Sequence, residues 1–269
     1  PGNPKMRPCT PAYDAIELHG AIWIRPAASS AAFPRLDVDG LYLVSHEQLR
    51  VRAPLELVVD NFVEVEHTPS VHALLGYGKE RMAEVEVKLE STETTVRVYN
   101  AGPQKPLYWP IAQLFQLRTG DLFVDDWTVH FSPLHAVYDQ YWSDMRTKEP
   151  RPHRLKIYVF FIPVSARETR VRVFTYAIGQ PGPLGWLYRL TVPVMRMLVR
   201  KEIALDCRLL EQLAGADPDL NGMQLGRFDR PLREIRSRID RLYRGVHPGA
   251  ARQDRDQEPD PQLRLERHG

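Results

Sequence analysis

Asn61-Phe-Val-Glu64-Val-Glu66-His67-Thr-Pro-Ser-Val-His72 places two imidazoles and a carboxylate within nine residues, counted from Glu64 to His72. Imidazole nitrogens suit first-row transition metals, and two histidines with one carboxylate leave iron with open positions for oxygen chemistry. The local sequence gives the two rings a reason to meet. Thr68 is a natural N-cap, and Pro69 suits the first helical position, where a missing N–H costs nothing. His67 then stands at N′ and His72 at N4, the two positions that a staple across a helix entrance brings together. Glu64 and Glu66 lie just upstream and offer carboxylates to orient an imidazole.

A third ligand must come from elsewhere in the chain. Asp206, in Ile203-Ala-Leu-Asp-Cys-Arg-Leu-Leu-Glu211, falls among Leu205, Leu209 and Leu210, near the buried face of a helix. An unpaired carboxylate is costly there. Metal ligation resolves that cost, and so does a salt bridge to Arg208 or Arg189; the residues alone leave both open. The spacing of the histidines is not diagnostic. His130 and His135, in Val-His-Phe-Ser-Pro-Leu-His, repeat it across a strand–turn–strand joint without neighbouring acids, and read as a half-buried sheet edge.

The elements that must position these residues follow from periodicity. Ala15 to Ile24 reads as two short strands around Gly20, followed by a loop. Arg50 to Asp60 is mixed, and a helix carrying the two histidines should follow. Ala83 to Glu90 alternates Val85, Val87 and Leu89 with charged residues, a period of two with one buried face. Thr94–Asn100, Asp121–Phe131, Ala136–Trp142, Leu155–Val164 and Thr169–Ala177 continue the series as a meandering antiparallel sheet. Pro183 to Leu213 then reads as a long helix, with Pro193 starting or kinking it and Gly215 ending it. A second helix, Pro231 to Arg244, has the apolar stripe Leu232, Ile235, Ile239 and Leu242. The residues from 246 onward, rich in Pro, Gln, Asp and Arg, read as a disordered tail. The fold class is α+β: a helix-grip antiparallel sheet closed by the long C-terminal helix, enclosing a cavity of the kind in which ligands sit. Phe115, Trp127, Tyr141, Trp142 and Phe161 either line that cavity or fill the core.

Composition excludes several classes. The chain has 269 residues, 43% hydrophobic and 26% charged, with a formal net charge of +2, which points to neither nucleic acid nor an anionic membrane. The two cysteines, Cys9 and Cys207, are too far apart for a disulfide scaffold, so a reducing cytoplasm is expected. No signal peptide is recognisable, and Arg189 and Arg196 interrupt the most apolar helical stretch, Pro183 to Val199, against a membrane span. The arginine-rich segment Arg227–Arg244 reads as a solvated face or a subunit contact.

Asn61-x-x-Glu64-x-x-His67-x4-His72, with Asp60 before it, resembles the mononuclear iron motif of Rieske-type oxygenase α subunits, Asn-x-x-Asp-x-x-His-x4-His. Asp206-x4-Glu211 resembles the helix that supplies that family's third iron ligand, and the strand ending in Trp23 resembles the close of a Rieske domain. The likeness covers roughly residues 15 to 245. It implies His67, His72 and Asp206 as ligands of a mononuclear Fe(II), Glu64 as the electron-transfer bridge to a neighbouring subunit's cluster, and Asn61 beside the metal. It also implies a small aromatic or polycyclic apolar substrate, O2, hydroxylation or O-demethylation, a reductase as electron donor and a homotrimer. Two departures stand out. Glu64 replaces the family's Asp, and the Cys-x-His and Cys-x-x-His pairs that hold a [2Fe–2S] Rieske cluster do not occur in these residues. The electrons must then come from a cluster on another polypeptide or domain, and the start at Pro1 is read as loss or removal of that domain. The expected division is 1–30 as the end of a Rieske-like domain, 31–245 as the catalytic domain and 246–269 as tail. The alternatives are a non-enzymatic protein holding a hydrophobic ligand in the same cavity, and a hydrolase with zinc on the same three residues.

Overall fold

The computed structural model describes residues 12–178, 189–220 and 223–245, and the chain separates into two compact units, Pro1–Asp39 and Gly40–Gly269. The expected tail, Cys9 and the first residues of the helix expected from Pro183 lie outside the described residues.

The first unit holds one hairpin, β1 (Tyr13–Leu18) and β2 (Ala21–Pro26), as expected around Gly20. Its two-residue loop has positive φ at both His19 (55°) and Gly20 (71°), the mirror-image turn whose twist matches flanking strands. The Trp23 indole donates to the Leu18 carbonyl at 3.0 Å.

The second unit is built on a seven-stranded antiparallel sheet in the order β3-β9-β8-β7-β6-β5-β4. The strands are β3 (Leu41–Val51), β4 (Glu86–Ser91), β5 (Thr95–Pro103), β6 (Leu122–Phe131), β7 (Leu134–Ser143), β8 (Pro150–Ser165) and β9 (Glu168–Ile178). β4 to β9 form the expected meander. Ala83 and Glu84 depart from it: they belong to a 3-10 turn, Lys79–Glu84, and the strand starts at Glu86. The mixed stretch from Arg50 resolves into the end of β3 and helix α1 (Leu55–Val63). β3 hid its period because a bulge between Leu43 and Ser45 turns the neighbours Val44 and Ser45 both inward.

Between β3 and β4 lie α1 and a single helical turn, α2 (Thr68–Val71); α3 (Trp109–Leu114) links β5 to β6. After β9 comes the long α4 (Val192–Gln212), with Pro193 in its first turn, then α5 (Arg230–Arg238) and a π turn, Ile239–Tyr243. The core between sheet and helices contains Trp127, Phe161, Val171, Leu210 and Ile235, and truncating a side chain of this kind costs about 3 kcal/mol or more.

The arginine-rich segment is in part a solvated face, with Arg230, Arg233 and Arg241 exposed, and in part engaged by the fold. Arg236 grips Asp60 of α1 with Nε at 3.0 Å and Nη2 at 2.5 Å, and Arg238 donates to the Thr92 carbonyl at 2.6 Å. Arg227 donates to the Val85 carbonyl at 2.8 Å. These side chains fasten α5 and its flanks to α1 and the sheet rather than to water.

His130 and His135 are directly opposed across the β6–β7 hairpin, their rings stacked at 4.8 Å, and His135 stacks again on Phe160 at 4.7 Å. No carboxylate joins them, so the pair is structural, as the sequence suggests. Burial pushes the His135 imidazole down to about 4. A folded-state value below the unfolded 6.5 means that the unfolded chain binds the proton first, so this stability is complete above pH 6.5 and is lost as pH falls toward 4. His135→Phe should therefore raise stability at pH 4.5 relative to pH 7 by on the order of 2 kcal/mol. Thermal melts of both proteins at the two pH values check this, and an unchanged pH gap contradicts it.

Candidate metal centre

The site begins where α1 stops. The last carbonyls of a helix lack partners within it, and Tyr138 of β7 donates its hydroxyl to the Phe62 carbonyl. That bond ties the exit of α1 to the sheet. Glu64 follows, and its carboxylate folds back over the next residues: Oε2 accepts from the backbone N–H groups of Glu66 at 2.5 Å and His67 at 3.2 Å, while Oε1 meets His67 Nδ1. Glu66 itself is exposed and takes no part.

The helix expected from Thr68 is only one turn long. His67 is its N-cap, not the preceding residue, and His72 is its C-cap, with an extended ψ of 142°. The chain leaves the helix because Ala73 and Leu74 turn their N–H groups to the Glu202 carboxylate, at 3.3 and 3.4 Å. Lys105 caps the turn through the His72 carbonyl at 2.5 Å and the Thr68 carbonyl at 3.4 Å. Gly76 makes room for it: φ is +100°, and a Cβ there would stand 2.1 Å from the Thr68 methyl.

On the opposite wall, α4 turns Met195, Leu198, Val199, Glu202, Ile203 and Asp206 to one face at helical spacing. Asp206 meets the two imidazoles rather than Arg208 or Arg189: Oδ1 lies 3.3 Å from His67 Nε2 and 3.1 Å from His72 Nε2. The two Nε2 atoms are 3.0 Å apart. Glu202, one turn before Asp206, places Oε2 at 3.1 Å from His72 Nδ1. Each ring thus has a carboxylate behind it on Nδ1, and both turn Nε2 to a common point.

This donor set fits a metal. Asp206 Oδ1 is buried and has no hydrogen-bond partner, although two ring nitrogens stand close to it, as when three donors aim at a shared centre rather than at one another. The three donor atoms lie 3.0, 3.1 and 3.3 Å from one another, close enough for a single ion to reach all three.

Electrostatics agrees. Burial alone would lower the His67 imidazole, but Asp206 and Glu64 raise it to about 9, and His72 is raised by Asp206 and Glu202 against the same burial. Burial would raise Asp206 and Glu202, yet the histidines beside them, His67 and His72 at Asp206 and His72 at Glu202, hold both below the ordinary carboxylate range. Three carboxylates and two imidazolium ions sum to −1; three carboxylates, two neutral imidazoles and a divalent cation sum to −1 as well. Exchanging two protons for one M2+ leaves the buried charge unchanged, which favours metal uptake with proton release.

The triad opens on a cavity of about 140 Å3 between α4 and the sheet. Its sheet wall is made of alternate residues, Phe123 and Asp125 of β6, Tyr138 and Gln140 of β7, Leu155 and Ile157 of β8. Asn61, expected beside the metal, lines the cavity with its amide nitrogen unpartnered. Of the five aromatic candidates Phe115 lines it; Trp127, Trp142 and Phe161 are core, and Tyr141 lies under the Arg154 guanidinium. Sequence reasoning missed Glu202, Asp125 and Gln140. Glu202 was legible as Glu-x3-Asp, which sets two carboxylates on one helix face.

The fold is thus an α+β helix grip with a His/His/Asp cluster at the cavity. Among solved structures the chain is similar to dicamba monooxygenase bound to 3,6-dichlorosalicylic acid, at 14% identity and a TM-score of 0.66, over 90% of this chain and 74% of that one. It is similar also to the NdmA QL mutant of Pseudomonas putida CBB5 with caffeine, at 14% identity and a TM-score of 0.60, over 86% of this chain and 61% of that one. NdmB of the same strain gives 13% identity and a TM-score of 0.60, with 60% of that chain covered. At this identity the likeness is one of fold. No family model and no curated protein matches the chain.

If Glu202 orients His72 for a metal, Glu202→Gln should weaken binding of Co(II) by about 10- to 100-fold while the protein stays folded. Chelator competition on both proteins measures this; equal affinities would remove Glu202 from the site.

Proposed function

We propose that this chain carries the catalytic domain of a Rieske-type oxygenase, which hydroxylates or O-demethylates an aromatic apolar substrate with O2. The observation that carries the reading is the convergence of His67 Nε2, His72 Nε2 and a buried Asp206 oxygen within 3.3 Å of one another, with the Glu64 and Glu202 carboxylates on the far side of the rings. The fold neighbours support it, being Rieske oxygenases themselves. His67, His72 and Asp206 are assigned as ligands of a mononuclear Fe(II).

When bound, that iron supplies the reductive activation of O2. The rest is work for the chain's own side chains. Glu64 and Glu202 hold the proton on each Nδ1, which keeps Nε2 free as a donor and the rings fixed in orientation. The apolar walls of the cavity exclude water and place the substrate carbon beside the triad. Glu64 is assigned as the electron-transfer bridge. It is the carboxylate that joins a ligand ring to the backbone of the α1–α2 loop, and its side chain is 16% exposed, enough to meet a partner surface. Asn61 is assigned as a neighbour of the metal on the cavity side. The hairpin of the first unit is assigned as the close of a Rieske-like domain, with 31–245 as the catalytic domain.

These 269 residues hold no Cys-x-His pair, so the [2Fe–2S] cluster is assigned to another domain or polypeptide, fed by a reductase, within a homotrimer where one subunit's cluster serves the next. No described helix is long and apolar enough to cross a membrane; a cytoplasmic location belongs to the same proposal. A carrier of hydrophobic ligands has no use for a buried carboxylate set between two histidines at the end of its cavity.

Protein purified anaerobically with iron should hold about one iron per chain, and His67→Ala should lose it. Reductase and NADH alone should give no sustained turnover until a Rieske protein is added. Absence of any metal would favour the carrier, stoichiometric zinc the hydrolase, and sustained turnover without a Rieske protein would refute the assigned electron route.

A further inference from the structure

The cavity holds a polar device that the metal centre does not use. Among the described residues, eight buried side-chain atoms lack a hydrogen-bond partner, and five of them belong to residues of this cavity. His72 Nδ1 and Asp206 Oδ1 belong to the metal centre. Asn61 Nδ2, Gln140 Oε1 and Thr175 Oγ1 do not. Buried polar groups are rarely left unpaired, and a cluster of them around one cavity marks where a ligand completes the set.

The sheet wall shows where the clearest departure lies. The inward stripe of β6 reads Phe123, Asp125, Trp127, Val129; that of β7 reads Leu134, Ala136, Tyr138, Gln140, Trp142. One polar residue interrupts each apolar stripe, and Asp125 and Gln140 stand directly opposite each other in the ladder. Polar side chains at core positions cost stability unless they serve function. Asp125 is only 8% exposed, and the one side-chain donor to its carboxylate is Gln140 Nε2, at 3.0 Å to Oδ1. That bond fixes the amide: its nitrogen must face Asp125, so its oxygen, unpartnered, is presented elsewhere. A buried carboxylate held by a single neutral donor, with no arginine or lysine on it, is poorly compensated. Burial pushes it up to about 6, still ionised at neutral pH.

We propose that Asp125 and Gln140 form the substrate-recognition subsite of this cavity, taking a hydroxyl or amine N–H on a single-ring aromatic compound and rejecting ring carboxylates. The proposal rests on the reading of the cavity as a substrate site. The cavity wall thus offers acceptors, the Asp125 carboxylate and the separate Gln140 amide oxygen, either of which takes a donating substituent, and the carboxylate repels an anion. Size sets the ring count: about 140 Å3 is close to the roughly 150 Å3 of a cavity that holds one benzene. Asp125 and Gln140 line the same cavity as His67, His72 and Asp206, so a ring anchored there shares the space onto which the triad opens.

Calorimetric titration of the chain without added iron, using phenol, aniline, toluene and benzoate, tests this directly. Phenol and aniline should bind about tenfold or more tighter than toluene, with benzoate the weakest. Asp125→Asn, which removes a buried charge without changing shape, should cut the aniline advantage about tenfold and raise benzoate affinity. Should that variant fail to fold, Gln140→Met should likewise cost aniline about tenfold. Equal affinities for the four compounds, a preference for benzoate, or an unchanged order in the variants overturns the proposal. Iron content, measured on portions of the same protein loaded anaerobically with Fe(II), separates the two claims. Iron on the triad without the donor preference keeps the oxygenase and removes the subsite; the preference without iron does the reverse.

Discussion

Two carboxylates one helical turn apart on the buried face of α4, Glu202 and Asp206, set the terms for everything around them. Neither is matched by an arginine or lysine. Left alone they would be costly, and the fold answers with two imidazoles delivered by the short segment from Glu64 to His72. The response shapes the backbone. The Glu202 carboxylate takes the N–H groups of Ala73 and Leu74, ends α2 after one turn, and so turns the His72 ring inward. A third carboxylate, Glu64, holds the other ring from the opposite side. The cluster is stable in charge with two protons or with one divalent cation, which is the property a loadable metal centre needs.

The helix-grip architecture makes this arrangement possible at the end of a cavity. A curved antiparallel sheet offers alternate side chains to α4, and α4 returns a stripe in which apolar residues at Met195, Leu198 and Val199 give way to acids at Glu202 and Asp206. Substrate volume and metal centre are therefore two parts of one helix face. The arginines of α5 and its flanks hold the surrounding elements: Arg236 binds α1 through Asp60, and α1 in turn sets the start of the Glu64 loop.

Much of this was legible in the sequence, and the failures have physical causes. The meander was readable because apolar and charged residues alternate along its strands, as in β4, where Val87 and Leu89 are partly buried and Glu86, Lys88 and Glu90 are exposed. β3 was not, because its bulge breaks the period. His67, His72 and Asp206 stood out as candidates by residue type and context, and the family resemblance joined them as one set; the length of α2 was not readable, since the carboxylate that ends it lies 129 residues away. Glu202 sat unnoticed in an Arg-Lys-Glu run that looks solvated. Asp125 and Gln140 were hidden differently: strand periodicity was recognised and the polar interruption of each stripe was passed over. The arginines of 227–244 looked like surface charge, because sequence alone does not show the carbonyls and the carboxylate that receive them.

The account stands on one point, that the three donor atoms of His67, His72 and Asp206 aim at a metal ion rather than at protons held between them. Crystals of the protein grown anaerobically with Fe(II), with anomalous diffraction measured on both sides of the iron absorption edge, test it most directly. The account predicts a single strong iron peak within bonding distance of His67 Nε2, His72 Nε2 and the Asp206 carboxylate, with Glu64 and Glu202 still on the outer nitrogens. A triad without a peak in iron-soaked crystals, or a peak bound by other residues, would contradict it.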